Sequence, residues 1–143
     1  MAICSFCESP CSETEIQAYG RCSFCQKKYT AITLSLEDYA KFTDTTAVYP
    51  NAGSGDNLEL FYLACGLTNE AGEVAGKIKK LFRDGRSSIT RDDIASECGD
   101  VFWYLCRLCH VLGFNPQTVI DANRQKLLDR QERGTLHGSG DKR

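Results

Sequence analysis

Two segments of the chain each carry a pair of carboxylates three residues apart. NEAGEVAGKIKK contains Glu70 and Glu73, and ASECGDVFWYL contains Glu97 and Asp100. On a helix this spacing places the β-carbons of a pair about 5–6 Å apart, so that a pair can bind one cation or bridge two. Four acids brought together would repel one another unless cations lay between them. A solvated helix face is the alternative for either pair alone, but two matched pairs favour a metal site.

The ligand atoms of this predicted site are all carboxylate oxygens. Oxygen ligands suit hard ions such as Mg²⁺ or Mn²⁺, and Mg²⁺ typically keeps waters and takes substrate phosphates as further ligands. We therefore expect a substrate that carries phosphates. Lys77 and Lys80 lie one and two helical turns beyond Glu73 on the same side, where they could neutralise phosphate oxygens.

The first acid pair lies on an amphipathic helix predicted over residues 58–83, which Asp84-Gly85 ends. Glu70 and Glu73 flank its apolar stripe. The stripe consists of Leu60, Leu63, Ala64, Leu67, Ala71, Val74, Ile78 and Leu81.

The second acid pair lies on a helix of the same layout, which begins at a capping box of Thr90 and Asp93 and ends at Gly113. Its apolar stripe consists of Ile94, Cys98, Val101, Leu105, Leu108 and Leu112. Relative to Glu97, the three polar offsets of the first helix are occupied by Asp100, Tyr104 and Arg107. If the helices pack antiparallel as a hairpin, both acid pairs converge at one edge of their interface.

Further helices flank this hairpin, so the predicted fold is all-α. Ser35 followed by Asp38 resembles a capping box that begins a short helix, and Asn115-Pro116 begins a last helix that Gly134 ends. The segment 43–57 between the first two helices is either a mobile flap or an ordinary connector.

Nine cysteines are many for a chain of 143 residues, and five of them lie in the first 25 residues. Cys4 and Cys7 form one CSFC motif, Cys22 and Cys25 form a second, and fourteen residues separate the two motifs. Two such motifs typically supply four thiolates to a tetrahedral structural Zn²⁺. We predict a zinc-ribbon-like module over residues 1–30; Cys11 is left outside the ligand set. A redox-active or unstructured cysteine-rich tail is the alternative.

Composition limits the remaining function classes. A chain with 42% hydrophobic residues can bury one sizeable core, which predicts one main domain with a small appendage. The net charge of −2 offers no general basic field, so binding of nucleic acid is not expected. The chain has no apolar run of membrane-spanning length and no signal-peptide pattern, so we expect a cytoplasmic protein without membrane contact.

Several other motifs are better explained by packing. Residues 106–110 spell C-x-x-C-H, the haem attachment signal, but they lie within an apolar helix, and core packing is the expected role of Cys65, Cys98 and Cys109. Phe102 and Trp103 are expected in the core or a subunit interface rather than as a base-stacking platform. Neither histidine has a sequence partner that would make it a general base.

From about residue 36 to residue 143, about three-quarters of its length, the chain resembles phage-type MazG-like proteins of the all-α nucleoside triphosphate pyrophosphohydrolase superfamily. The segments that carry the resemblance are TAVYPNAGSG, LACGLTNEAGEVAGKIKKLFRDG, ECGDVFWYL, ANRQKLLDRQERG and HGSGDKR. The resemblance implies a domain over residues 35–143 that hydrolyses a (d)NTP, with Mg²⁺, to the monophosphate and pyrophosphate. It also implies action in a host cytoplasm, as for a phage-encoded protein.

By the same resemblance, the metal ligands are Glu70, Glu73, Glu97 and Asp100, and the residues facing the nucleotide are Lys77, Asn123, Lys126, Arg130 and Tyr104. One carboxylate would take the proton of the attacking water, and the sequence favours Glu73 only slightly. Because a helical hairpin in so short a chain leaves apolar surface uncovered, we expect a homodimer or homotetramer. The rival hypothesis is a zinc-ribbon interaction module on a non-catalytic helical dimerisation domain.

Overall fold

The computed structural model describes residues 2–3, 10–11, 34–85, 89–138 and 140. Its elements are β1 (Ala2–Ile3), β2 (Pro10–Cys11), α1 (Leu36–Thr46), α2 (Asn57–Asp84), α3 (Arg91–Val111) and α4 (Pro116–Glu132). The described residues from 34 onward are helix, turn or loop, which confirms the all-α prediction for this part of the chain.

The two short strands pair with each other and with no helix. β1 and β2 are antiparallel, with Ala2 opposite Cys11 and Ile3 opposite Pro10. The predicted zinc ligands Cys4, Cys7, Cys22 and Cys25 lie outside the described residues, so the zinc-ribbon-like module stays a prediction.

Each helix begins at a side chain that accepts a hydrogen bond from a backbone N–H in its first turn. The N-cap residues are Ser35, Asp56, Thr90 and Asn115. Such caps satisfy amide groups that have no partner within the helix, which is why short polar residues mark the boundaries. The predicted capping box of Thr90 and Asp93 is present in full.

Helices α2 and α3 form the central hairpin. Their contacts run from Lys77 with Glu97 at one end to Glu59 with Arg107 at the other, so residue numbers fall along α2 as they rise along α3. This antiparallel arrangement is the predicted one. α1 packs on α3, and α4 packs on both α1 and α3.

The apolar core of a single chain is small. Among the described residues, the buried apolar side chains are Ala40, Leu63, Ile89 and Cys106. Within the predicted stripe of α2, Ala64, Ala71 and Ile78 are exposed. One chain therefore covers only part of the apolar faces of its long helices.

The prediction of core packing for the cysteines is wrong for one of them. Cys65 is exposed on α2, whereas Cys98 and Cys109 are half-buried. Cys65 follows Ala64, which is also exposed.

No helix in the described ranges is long and apolar enough to span a bilayer.

Candidate active site

Three of the four predicted metal ligands come together between α2 and α3. Glu70 from α2 and Glu97 and Asp100 from α3 each offer a carboxylate oxygen, and these oxygens lie within 4.8 Å of one another. The antiparallel hairpin creates this acid cluster, because it sets the middle of α2 against the first half of α3. Glu70 and Glu97 are half-buried and Asp100 is exposed, so the cluster opens toward solvent on one side.

Glu73 lies outside the acid cluster. Its side chain is exposed one turn beyond Glu70, and its Oε1 accepts a hydrogen bond of 3.1 Å from Nδ2 of Asn69. Its charge still acts on the cluster, since it contributes to the raised pKa of Glu70.

The pKa of Glu70 is raised above its usual value. Burial is the largest cause, followed by the negative charge of Glu73, and Asp100 and Glu97 add to it. Burial and like charges both disfavour the ionised carboxylate. The site is therefore under electrostatic stress that a bound cation would relieve.

A cation of the protein itself lies beside the acid cluster. Lys77 Nζ is 3.3 Å from Glu97 Oε1, and both side chains are largely buried. This places an ammonium group next to the carboxylates, as the helical phase predicted. Lys80 is exposed on the same helix, one turn farther along.

A cavity of about 300 Å³ adjoins the acid cluster. Glu70 and Asp100 form its acidic side, and Thr46, Trp103 and Tyr104 form the rest of its lining. The sequence missed Thr46 and placed Trp103 in the core or an interface. The spacing of Trp103 three residues after Asp100 was the signal for its place beside the acids.

Tyr104 lies against α2 because residue 66 is glycine. A Cβ built on Gly66 would lie 2.1 Å from Cε1 of Tyr104, far inside van der Waals contact. The missing side chain lets the tyrosine ring approach the backbone of α2 one turn before Glu70. Tyr104 lines the cavity, and its role at the nucleotide stays a prediction.

Arg107, at the last of the three polar offsets predicted for α3, binds acids other than those of the acid cluster. It is 2% exposed and donates to the Tyr49 hydroxyl at 2.8 Å, to Glu59 Oε1 at 3.1 Å and to Asp44. Desolvation would lower its pKa, but these hydrogen bonds outweigh burial and raise it. Helical phase gave the correct side of α3, but Asp44 and Glu59 from other elements capture the guanidinium. His110 Nε2 lies 3.0 Å from Asp44 at the edge of this network.

Glu59 ties the loop between α1 and α2 to both long helices. Its fully buried carboxylate accepts hydrogen bonds from the backbone N–H of Gly53 at 2.8 Å, the N–H of Gly55 at 2.7 Å and the hydroxyl of Tyr49 at 2.7 Å. Burial alone would raise its pKa, but these bonds and that from Arg107 outweigh burial and lower the pKa to about 2. Of the two interpretations of this segment, the structure favours a fixed connector.

Comparison with known proteins identifies the family. The model of the MazG nucleotide pyrophosphohydrolase domain matches residues 61–135, which include the acid cluster. The chain belongs to the MazG family. It is also 43% identical over 114 residues to the "Gene 37 protein" of Mycobacterium phage L5, a match that covers 77% of this chain and all of that protein. No solved structure matches the chain.

In the MazG domain of this chain, the three residues of α4 that were predicted to face the nucleotide differ in their exposure to solvent. Asn123 and Lys126 are exposed, whereas Arg130 is only 5% exposed. α4 packs on α1 and α3, so a role for these three residues at the nucleotide stays a prediction.

Proposed function

We propose that this MazG-family chain is a metal-dependent nucleoside triphosphate pyrophosphohydrolase, which converts a (d)NTP to the (d)NMP and pyrophosphate by attack of water at the α-phosphate. The observation that carries the proposal is the acid cluster of Glu70, Glu97 and Asp100, with Lys77 beside it. Bound cations would relieve the repulsion among these carboxylates, and hard cations are the usual partners of phosphate substrates.

The acid cluster fits Mg²⁺ or Mn²⁺ by its chemistry. The three carboxylates offer only oxygen ligands, and Glu73, one turn away, would complete the predicted set of four. When bound, the ions would polarise the phosphates and lower the pKa of a coordinated water. The predicted Zn²⁺ of the cysteine module would be structural and separate.

The side chains around the metal ligands would position the substrate. Lys77, which pairs with Glu97, would hold a phosphate oxygen, and Lys80 would contribute a second positive charge farther out. Asn123, Lys126 and Arg130 of α4 are proposed as further phosphate or sugar contacts. Of the four proposed metal ligands, Glu73 alone lies outside the cluster, and it is the carboxylate proposed also to accept the proton of the attacking water.

The proposed reaction is tested by incubating the purified full chain with each of the eight common nucleotides and Mg²⁺ or Mn²⁺. We expect monophosphate and pyrophosphate in equal amounts. In water labelled with ¹⁸O, the label should enter the monophosphate, because the attack is at the α-phosphate. No turnover with any nucleotide would contradict the proposal and favour the non-catalytic interaction module.

A carboxylate variant links the activity to the acid cluster. Asp100→Asn keeps the size of the side chain but removes one charge that holds the metal, so kcat should fall by about 10²-fold or more. Asp84→Asn is the matched control, because Asp84 is an exposed acid at the end of α2, about 21 Å along the helix from Glu70. Equal activity of the two variants would show that the reaction does not depend on the acid cluster.

We also propose that the chain functions as a homodimer or homotetramer. Phe61 is 67% exposed and Phe82 is 87% exposed on α2, and Phe102 is 55% exposed on α3. Large apolar surfaces of this kind are typical of interfaces between subunits. A second subunit could then complete each site.

A further inference from the structure

The cavity beside the acid cluster has a wall whose composition is unusual for a phosphate site. Besides Glu70 and Asp100, the lining consists of Trp103, Tyr104 and Thr46. This aromatic wall, defined as these three residues, carries no positive charge to hold a triphosphate. Its two rings suit a planar part of the ligand better.

The indole of Trp103 is held in one orientation. Its Nε1–H donates to Oγ1 of Thr46 at 2.7 Å. The ring of Tyr104 meets it edge to face with centroids 5.0 Å apart, and the ring of Tyr49 does so at 6.4 Å. Since Glu59 and Arg107 both hydrogen-bond the hydroxyl of Tyr49, the indole is braced from the loop side as well. A fixed aromatic surface binds a flat ligand with little loss of side-chain entropy.

Two polar groups of the aromatic wall are engaged within the chain. The indole N–H of Trp103 donates to Thr46, and the hydroxyl of Thr46 donates in turn to the carbonyl oxygen of Thr43 at 3.3 Å. The hydrogen-bonding group of the indole is therefore used to hold the ring, which leaves its ring surface for a ligand.

We infer that the aromatic wall receives the nucleoside of the substrate, with Trp103 as the main contact, and that it selects a planar base without distinguishing one base from another. The inference rests on the proposed function, since a triphosphate held at the acid cluster puts the sugar and base next to the α-phosphate. Stacking tolerates every base because each has a π face, whereas a site that hydrogen-bonds one base rejects the others strongly.

The single tryptophan of the chain makes the inference testable by fluorescence. The probes are the α,β-methylene analogues of ATP and UTP, which resist cleavage between the α and β phosphates, in the presence of Mg²⁺. Saturating analogue of either base should change the emission of Trp103 after correction for absorption by the nucleotide, measured with free N-acetyltryptophanamide. Unchanged emission with both analogues overturns the inference, whether or not the protein turns over substrate.

Kinetics separate a binding role of Trp103 from a structural one. Trp103→Ala should raise KM roughly ten-fold for every base with little change in kcat, and Trp103→Phe should restore most of the loss. Phe114→Leu, an exposed aromatic in the turn after α3, is the matched control and should leave both constants unchanged. The wild-type kcat/KM should vary less than about ten-fold among the bases.

Different results contradict the proposed reaction and the role of the aromatic wall. Absence of pyrophosphate with all nucleotides contradicts the reaction, while a change of Trp103 emission on binding would still support the aromatic wall as the nucleoside contact. Turnover with a strong preference for one base, or with an unchanged KM in Trp103→Ala, contradicts the wall and leaves the reaction intact.

Discussion

The ionised carboxylate of Glu70 is disfavoured in the folded chain. Its pKa is raised by burial and then by the neighbouring carboxylates of Glu73, Asp100 and Glu97. A carboxyl group with a raised folded-state pKa contributes stability that is present below pH 4.5 and is lost as the pH rises through the raised value. At neutral pH the metal-free chain therefore carries this destabilisation in full.

The substitution Glu70→Gln should remove this destabilisation. Without divalent metal at pH 7, the variant should melt about 2–4 °C above the wild type, because one repelling charge is gone. Addition of Mg²⁺ should raise the melting temperature of the wild type and leave that of the variant nearly unchanged. Asp84→Asn should respond to Mg²⁺ as the wild type does. A metal-free variant less stable than the wild type would contradict the electrostatic account.

The ionisation of Glu59 changes stability with pH in the opposite direction to that of Glu70. Its pKa is lowered to about 2, because the hydrogen bonds from Gly53, Gly55, Tyr49 and Arg107 outweigh the effect of burial. Its stabilising contribution is present above pH 4.5 and is lost as the pH falls from there toward 2.

Glu59→Gln should therefore lower the free energy of unfolding at pH 7 by about 3 kcal/mol, since the buried Arg107 would lose its buried partner and keep only the half-exposed Asp44 as a charged one. Urea titrations of wild type and variant from pH 7 to pH 2 measure the effect, and the two should converge as the pH falls. Glu37→Gln is the control, an exposed carboxylate paired with Lys41 on the surface of α1. A constant difference at all pH values would show that the charge of Glu59 is not the cause.

At the scale of the helices, the close contact of α2 and α3 depends on one glycine. Tyr104 occupies the space that a side chain at residue 66 would need, whereas a Cβ built on Gly72 meets no atom within 4 Å. The two positions lie on the same helix and have the same intrinsic helix propensity. They differ in their neighbours, because Tyr104 contacts Gly66 and no atom occupies the corresponding space at Gly72.

This contrast gives a paired prediction. Gly66→Ala should destabilise the chain by about 2 kcal/mol, because the methyl group must push Tyr104 and α3 away. Gly72→Ala should stabilise it by about 0.5–1 kcal/mol through helix propensity. Adding Tyr104→Ala to Gly66→Ala should recover part of the loss in a double-mutant cycle, measured by chemical unfolding. Equal effects of the two glycine variants would rule out the steric account.

The elements also show which parts of the fold can be predicted from the sequence. Helix boundaries depend on local capping, so Thr90 with Asp93 and Asn115 with Pro116 marked them correctly. The acid cluster followed from helical phase once the hairpin was assumed.

The contacts that the sequence did not predict are those between residues far apart along the chain. Arg107 is bound by Asp44 and Glu59, and Trp103 is oriented by Thr46, 57 residues earlier. Cys65 was expected in the core but is exposed. Periodicity gives the side of a helix on which a residue lies, but not the element that meets it.

At the scale of the whole molecule, key charged side chains are buried and paired, whereas several large apolar side chains are exposed. Arg107 and Glu59 are buried and paired, while Phe61, Phe82 and Phe102 remain exposed on the two longest helices. A fold that satisfies its polar groups and leaves its largest apolar residues uncovered has its remaining hydrophobic stabilisation available for association.

Self-association of the chain should therefore be measurable, and a charged residue introduced on the exposed apolar surface of α2 should weaken it. The wild type is expected to have a solution mass of two or four times 15.9 kDa by light scattering, and its melting temperature should rise with protein concentration. Phe61→Glu should shift the mass toward that of one chain, because burying an unpaired carboxylate in an apolar interface is costly. Val48→Glu is the matched control, since Val48 is 92% exposed but lies in the loop before α2. A wild-type chain that stays monomeric at high concentration would mean that its exposed phenylalanines serve some other contact.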